Sequence, residues 1–391
     1  VSRTDGVVAV AGRRAVGPTT SDVDARLRPR ACAGDALWRN WRNPSMLVSV
    51  ERVVLHVDLD QFIVAVELLR HPELRGKPVL VGGSGDPKQR GVVAGASYEA
   101  REFGVRSGTP LRTAAARCPD AVFLPADRET YLAASADVMA ALQEIGGVVE
   151  VAGWDEAFML VDTDDAEETA RSVQRHVRER TALACSVGIG DNKLRAKLAS
   201  GLAKPAGVFR LDMSNWVAVM ASRPTDALWG VGSKTAKKLA ARGIATVGDL
   251  ARTAMADLAG EFGPNIGPWL VALAHGYDST PVTAEPYQAR SHGREVTFQR
   301  DLRDTAEMRA EVVRLAHVVS DDLAVEDALA RRVVVKVRDS RFATHTHGVS
   351  LPAPTREAAA IEQAALAALA RFPLDRPVRL LGVRAELARS G

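Results

Sequence analysis

Val53-Val54-Leu55-His56-Val57-Asp58-Leu59-Asp60 is a short, β-branched run that closes on two carboxylates. A run of this length, bounded by breakers, reads as a buried strand. A second apolar run, Val149 to Val161, carries Trp154-Asp155-Glu156 inside it. Carboxylates in buried strands are costly unless positive charge compensates them. No Lys or Arg lies beside either cluster in the sequence, so metal is the compensating charge expected. Two neighbouring strands with three acids suit a pair of divalent ions about 3.5–4 Å apart, the arrangement used for phosphoryl transfer. Mg²⁺ fits such hard oxygen ligands. The alternative is that Asp60 caps the next helix and the other acids end their strands; two clusters weigh against it more than one would.

The 391 residues allow about two to four compact units. Apolar and charged fractions of 47% and 25% are those of an ordinary globular chain, and no apolar stretch reaches membrane-spanning length. A net charge of +3 is only a weak pointer to an anionic partner. Cys32, Cys118 and Cys185 stand far apart, which fits a reducing cytoplasm with neither a disulfide framework nor a zinc site. Residues 1–45 mix Arg, Gly, Pro, Ser and Thr without periodicity and lack a secretory apolar core. A disordered leader over 1–49 is expected, with Met46 as an alternative start. The other reading is a basic arm that binds DNA through Arg26, Arg28 and Arg30.

Beyond Val50 the pattern predicts alternating strands and helices. Asp60 opens a helix to about Leu69, Lys77 to Gly83 is a strand into a turn, and Val92 to Ala96 is a strand leading to a helix from Tyr98. Helices are expected over Thr109–Arg117, Arg128–Ile145, Ala166–Arg180 and Asp191–Ala203, with a strand over Cys185–Ile189. This order suggests an α+β core resembling a split βαβ layer. Ser214 to His275 is almost wholly helical in pattern, and 281–292 reads as a linker. The remainder predicts strands at Arg294–Gln299, Arg332–Arg338 and Val378–Ala385, with helices at Ala306–Val325 and Arg356–Ala370. That is a second small α+β domain in β-α-β-α-β order.

Leu228-Trp229-Gly230-Val231-Gly232-Ser233-Lys234-Thr235-Ala236 matches a helix-hairpin-helix. Its glycines let the backbone approach a phosphate, and N–H groups at the second helix start bind it. Such contacts grip duplex DNA without reading it. A plain αα-hairpin is the alternative. Gly-Ser-Lys-Thr is not a P-loop, because neither the earlier Gly nor a preceding strand is there. Tyr98 and Arg101 share one helix face at i and i+3, where an Arg can clamp a triphosphate, although helix-surface Arg residues are usually only solvated. Lys204 ends a helix, which the macrodipole alone would explain. Gly82 to Pro87 is read as a flexible loop, and His345 and His347 as exposed polar residues on a strand rather than a metal pair.

Together these features resemble the Y-family translesion DNA polymerases of the DinB, or polymerase IV, class, over about Val50 to Ala388. The residues that carry the likeness are Leu55-His56-Val57-Asp58-Leu59-Asp60-Gln61-Phe62, Ala96-Ser97-Tyr98-Glu99-Ala100-Arg101 and Asp155-Glu156-Ala157-Phe158. Ser186 to Lys193, Ala203-Lys204-Pro205-Ala206-Gly207 and Leu381-Gly382-Val383-Arg384 support it. The resemblance implies an α+β multidomain right hand. A ferredoxin-like palm would occupy 50–61 and 127–213, small fingers 62–126, a helical thumb with the helix-hairpin-helix 214–280, and an α+β little finger 293–391.

It further implies that Asp58, Asp155 and Glu156, with the Leu59 carbonyl, hold two Mg²⁺ ions, which Mn²⁺ can replace. Leu59, Gln61, Phe62, Ile63, Tyr98, Arg101 and Lys204 would contact the incoming nucleotide. Gly230, Gly232, Lys234 and Thr235 would hold duplex DNA. The activity implied is template-directed, low-fidelity synthesis without proofreading, in DNA repair and damage tolerance, by a cytoplasmic monomer acting on primer-template DNA.

Three departures from the family pattern matter. The family usually has Tyr or Phe where this chain has Ile63, and that ring blocks a ribose 2′-hydroxyl. Relaxed sugar selection, with rNTPs accepted beside dNTPs, is therefore expected; the alternative is a backbone shift that closes the gap. A family Ser appears as Gly153, and a family Thr as Gly95, which removes one hydroxyl donor and raises the nucleotide KM modestly. The chain stops at Gly391, without the Gln- and Leu/Phe-rich tail that docks such polymerases on a sliding clamp, so clamp contact through the C-terminus is not expected. The competing readings are a non-catalytic DNA-binding scaffold, favoured only if an acid were lost, and a nucleotidyl cyclase, which would need no DNA-gripping hairpin.

Overall fold

The computed structural model of the chain describes residues 51–388. The expected leader with Arg26, Arg28, Arg30 and Met46, and the C-terminal Arg389-Ser390-Gly391, lie outside the described residues.

In chain order the first elements are β1 (Glu51–Leu59), α1 (Phe62–Arg70), β2 (Val79–Val81), β3 (Gly95–Ala96), α2 (Tyr98–Glu102), α3 (Leu111–Arg117), β4 (Val122–Leu124) and α4 (Arg128–Ile145). There follow β5 (Val148–Val151), β6 (Glu156–Thr163), α5 (Ala166–Thr181), β7 (Cys185–Gly190), α6 (Lys193–Ala203) and β8 (Val208–Arg210). A helical stretch comprises α7 (Trp216–Met220), α8 (Ser233–Ala240), α9 (Val247–Arg252), α10 (Met255–Phe262) and α11 (Ile266–Ala274). The last part holds β9 (Ser291–Leu302), α12 (Thr305–Val325), β10 (Ala330–Asp339), β11 (Thr344–Thr355), α13 (Ala358–Leu369) and β12 (Val378–Leu387).

The described residues divide into two compact units, one of 51–60 and 134–285, the other of 61–133 and 286–388. In the first, β1 is the middle strand of the order β5-β6-β1-β7-β8, antiparallel to both β6 and β7. Val53 to Val57 are buried without alternation, as in a strand covered on both faces. The acidic run is not the single strand expected. It is a hairpin in which residues 152–155 turn between β5 and β6, and both Ala152 and Gly153 donate N–H groups to the Glu156 carbonyl at 3.0 Å. Asp155 therefore sits in the turn and Glu156 opens β6.

Helix α6 lies directly on β7. A Cβ at Gly188 would stand 2.0 Å from the Ala196 carbonyl oxygen and 2.2 Å from the Ser200 nitrogen. One at Gly190 would stand 2.5 Å from the Ala196 nitrogen. Only glycine permits so close a backbone approach. Asn192 caps the helix by accepting the Arg195 N–H at 2.9 Å, so it starts later than the expected Asp191. Helices α7–α11 enclose a core around Trp216, Leu239, Leu250 and Leu270 that also takes in Leu194 and Ala199 of α6.

In the second unit β2 is central in the order β3-β2-β4. The three-residue strands β4 and, in the first unit, β8 are too short to leave a periodic signal in the sequence. The C-terminal sheet has four antiparallel strands, β11-β10-β12-β9, rather than the three expected. Met308, Val312 and Leu315 of α12 and Ile361 and Ala365 of α13 share one core with Leu381 of its strands. The order is β-α-β-β-α-β. His347 lies on β11 with its ring 4.5 Å from that of Phe372, and no metal-ligand cluster occurs among the described residues. Among those residues no helix is long and apolar enough to cross a membrane.

Candidate active site

The pairing of β1 with β6 sets Asp58 opposite Glu156, and its pairing with β7 sets Asp58 opposite Ser186. The Leu59 N–H donates to the Asp155 carbonyl at 2.8 Å, which holds the β5–β6 turn against the end of β1. The sheet thus gathers Asp58, the Leu59 carbonyl, Asp155 and Glu156 at one end.

The sequence showed no cation near these acids, but the fold supplies two from α6 and its C-terminal cap. Lys204 Nζ donates to Asp58 Oδ1 at 2.5 Å and to the Leu59 carbonyl at 3.2 Å. Lys197 Nζ donates to Glu156 and approaches His56 Nε2 at 3.4 Å. His56 is fully buried, with Nδ1 2.7 Å from Ser200 Oγ, which in turn donates to the Lys197 carbonyl at 2.9 Å. Burial pushes the imidazole below its ordinary value, against the nearby Glu156 carboxylate, and favours the neutral ring.

The carboxylates divide electrostatically. Burial raises the Asp155 carboxyl above its usual range, and the charges of Asp58 and Glu156 raise it further, against Lys204. Burial works upward on Glu156 too, but bonding from His56 and Lys197 outweighs it and brings that carboxyl to about 2. Three carboxylates and a backbone carbonyl are a hard oxygen set that fits a divalent cation. The like-charge crowding felt by Asp155 is what such a cation would relieve. As the chains lie here, with Lys204 on Asp58 and Lys197 on Glu156, no three ligands close on one point among the described residues.

Asp60 belongs to a different task. Helix α1 is led by Gln61, in a left-handed conformation (φ 42°) with no side-chain cap. Asp60 is buried; Oδ1 accepts from Ser186 Oγ at 2.9 Å and Oδ2 from the Ala206 N–H at 2.7 Å. It ties the end of β1 to the turn that follows Lys204; it is not the helix cap of the alternative reading, nor one of the gathered acids.

The other expected nucleotide contacts lie in the second unit. Gln61 Oε1 accepts the Tyr98 N–H at 2.8 Å, pinning the start of α1 to the start of α2. Ser97 caps α2 by accepting the Ala100 N–H at 3.2 Å. Arg101 Nε donates to the Ala96 carbonyl at 3.1 Å, and its guanidinium lies 4.8 Å from the centre of the Tyr98 ring. Phe62 is buried, so only its backbone is left to meet a ligand, while Ile63 is half-buried.

In the first unit, Gly230 precedes α8 with φ 99°, a conformation that favours glycine. Gly232 is the N-cap residue, Lys234 is exposed and Thr235 half-buried. The helix before the hairpin is reduced to a single 3₁₀ turn, Thr225–Ala227. Trp229 lies 6.1 Å from the Phe158 ring, and Lys197 Nζ lies 5.6 Å from the indole. Asp58, Lys197, Leu228, Trp229 and Gly230 line one cleft of about 480 Å³. Lys197, His56 and Trp229 were missed as site residues. The spacing of Lys197 and Lys204 at i and i+7, which puts both on one helix face, was the available signal.

The chain matches sequence models of the impB/mucB/samB family over 57–201, of that family's C-terminal domain over 289–388, and of the DNA polymerase-iota thumb domain over 226–278. It is 50% identical over 347 residues to DNA polymerase IV 2 of Mycobacterium tuberculosis strain H37Rv, an alignment covering 88% of this chain and all of that protein. With DNA polymerase IV of Methanoculleus marisnigri it shares 39% identity over 349 residues, 87% of this chain and 95% of the relative. A Y-family polymerase chimera of Dbh and Dpo4 superposes with a TM-score of 0.77 at 27% identity, covering 85% of this chain and 98% of the chimera. An insertion ternary complex of Dbh polymerase gives 0.61 at 26% identity, covering 87% and 100%. These likenesses agree with the expected fold class, including the helical thumb and the separate little-finger sheet.

Proposed function

Because the chain belongs to the DNA polymerase IV, or DinB, family of Y-family translesion polymerases and is a DNA-directed DNA polymerase, we propose that it extends primers by two-metal nucleotidyl transfer at Asp58, Asp155 and Glu156. We propose further that Ile63 lets it use rNTPs beside dNTPs. The observation that carries the reading is the convergence of Asp58, the Leu59 carbonyl, Asp155 and Glu156 at one end of the sheet. Membership in a polymerase family removes the scaffold and cyclase alternatives.

Members of this family use divalent metal ions. Here Asp58, Asp155, Glu156 and the Leu59 carbonyl would hold Mg²⁺, which would supply charge to activate a primer 3′-hydroxyl and to neutralise the leaving pyrophosphate. Every other part falls to the chain. Lys204 is free to turn from Asp58 to a phosphate once another cation satisfies that carboxylate, because its stem is flexible and its ammonium has three donors. Lys197, backed by neutral His56 and Ser200, keeps Glu156 ionised and oriented. Asp60 fixes the turn behind Lys204. In the other unit, Arg101 and Tyr98 form a stacked pair suited to a triphosphate.

Primer extension with Mg²⁺ or Mn²⁺, offering dNTPs and rNTPs separately, tests the reading. Extension by the unaltered chain, abolished in Asp155→Ala, supports the carboxylate assignment. Extension that survives in Asp155→Ala overturns it.

A further inference from the structure

We infer that Gln174, on α5, is a positioning residue for Lys204: its side-chain amide holds the turn from which Lys204 reaches Asp58 and the triphosphate. The inference rests on the reading of Lys204 as a triphosphate contact.

Ala170 and Val177, at i−4 and i+3 of Gln174, are fully buried, so α5 carries the half-buried Gln174 on its packed face. Its Nε2 meets three carbonyl oxygens, those of Cys185 at 2.8 Å, Gly207 at 3.0 Å and Ala206 at 3.1 Å. Three acceptors around one atom call for the amide –NH₂ there, with two hydrogens shared among them. Cys185 opens β7 and pairs with Leu59 of β1, whose carbonyl Lys204 bonds. One amide thus joins the strand end beside Asp58 to the turn at 206–207.

That turn has to be held. Ala206 has φ 50°, a left-handed conformation that is costly for a residue with a Cβ. Its N–H is bonded by Asp60 Oδ2 at 2.7 Å and its carbonyl by Gln174, so the strained residue is gripped on both sides. Lys204, two residues earlier, is the C-cap of α6 and already extended, with φ −66° and ψ 138°. Past Ala203 the helix therefore no longer fixes it. Its stem is flexible, so the reach of its ammonium is set by the turn that anchors its backbone. Asp60 supplies one anchor and Gln174 the other.

Single-nucleotide incorporation kinetics and urea unfolding test this together, in Gln174→Leu, which keeps the bulk and loses the donors. With Lys204 present, the dNTP KM should rise about fivefold and kcat change less than about twofold, because a phosphate contact is loosened and no reacting group is touched. In the Lys204→Ala background Gln174→Leu should leave KM unchanged. Gln174→Lys, which offers three donors from one nitrogen, should restore the KM, whereas a side chain that only filled space would be replaced by Leu without loss. Where Lys204→Ala itself raises KM, an unchanged KM in Gln174→Leu, or an equal rise in both backgrounds, overturns the inference. The metal-free chain gives a readout independent of catalysis. The coupling between Lys204→Ala and Asp58→Asn in urea unfolding should fall by about half or more when Gln174→Leu is added, and undiminished coupling overturns the inference. Diminished coupling beside a normal KM in Lys204→Ala would instead overturn the reading of Lys204 as a triphosphate contact and leave its positioning by Gln174 standing.

Discussion

Lys204 Nζ lies 2.5 Å from Asp58 Oδ1 and 3.2 Å from the Leu59 carbonyl, so one ammonium is bonded to two of the oxygens expected to bind metal. A lysine so placed can pass from a carboxylate to a triphosphate as the site fills. Lys204→Ala should raise the dNTP KM about tenfold or more, with a smaller fall in kcat, as expected when a charged contact to a bound phosphate is removed. Single-nucleotide incorporation kinetics check this. A fall confined to kcat would place Lys204 elsewhere in the cycle.

Asp60 and Asp155 should separate by phenotype. Asp60→Ala removes two hydrogen bonds to a buried carboxylate and leaves the Ser186 and Ala206 donors unpaired. A loss of about 3 kcal/mol in urea unfolding is expected. Asp155→Asn should abolish extension while making the metal-free protein more stable, since the carboxylate is crowded by burial and by Asp58 and Glu156. Equal destabilisation by the two substitutions would contradict this division.

Gly188→Ala should be among the most damaging single-methyl changes in the chain. Its Cβ would meet the backbone of α6 at 2.0 Å, and backbone cannot rotate aside. A cost of about 3 kcal/mol or more is expected from such overpacking, with lost activity because α6 carries Lys197. A variant with native stability would show that α6 slides freely on β7.

Much of this was legible in the sequence because it is local. Asp58 ends a β-branched run, Gly230 and Gly232 punctuate a helix start, and the buried residues of α12 repeat at helical spacing. What escaped depends on long-range packing. Lys197 and Lys204 reach the acids only because Gly188 and Gly190 let α6 lie on β7. The apolar run from Val149 to Val161 hid a turn at Gly153 and Trp154, because strand residues continue on both sides of it. Strand β11 is mostly exposed and lacks the alternation that marks a half-buried strand, so the fourth strand of its sheet was not counted. The role of Asp60 could not be read at all, because its partners are Ser186 and Ala206, more than a hundred residues away.

Lys234 is exposed near the start of α8, where a substitution has no core to disturb. Lys234→Glu should weaken duplex DNA binding evenly across sequences and reduce the slope of log affinity against log salt by about 1, as expected for a phosphate contact. Fluorescence anisotropy at several salt concentrations measures this. An unchanged slope would remove Lys234 from the DNA-binding surface.

The most direct test of the central claim is primer extension by the unaltered chain and by Asp155→Ala, with dNTPs and rNTPs supplied separately. The expected result is extension with either nucleotide in the unaltered chain and none in the variant. Extension by Asp155→Ala would contradict the carboxylate site, and exclusive use of dNTPs would contradict the role given to Ile63.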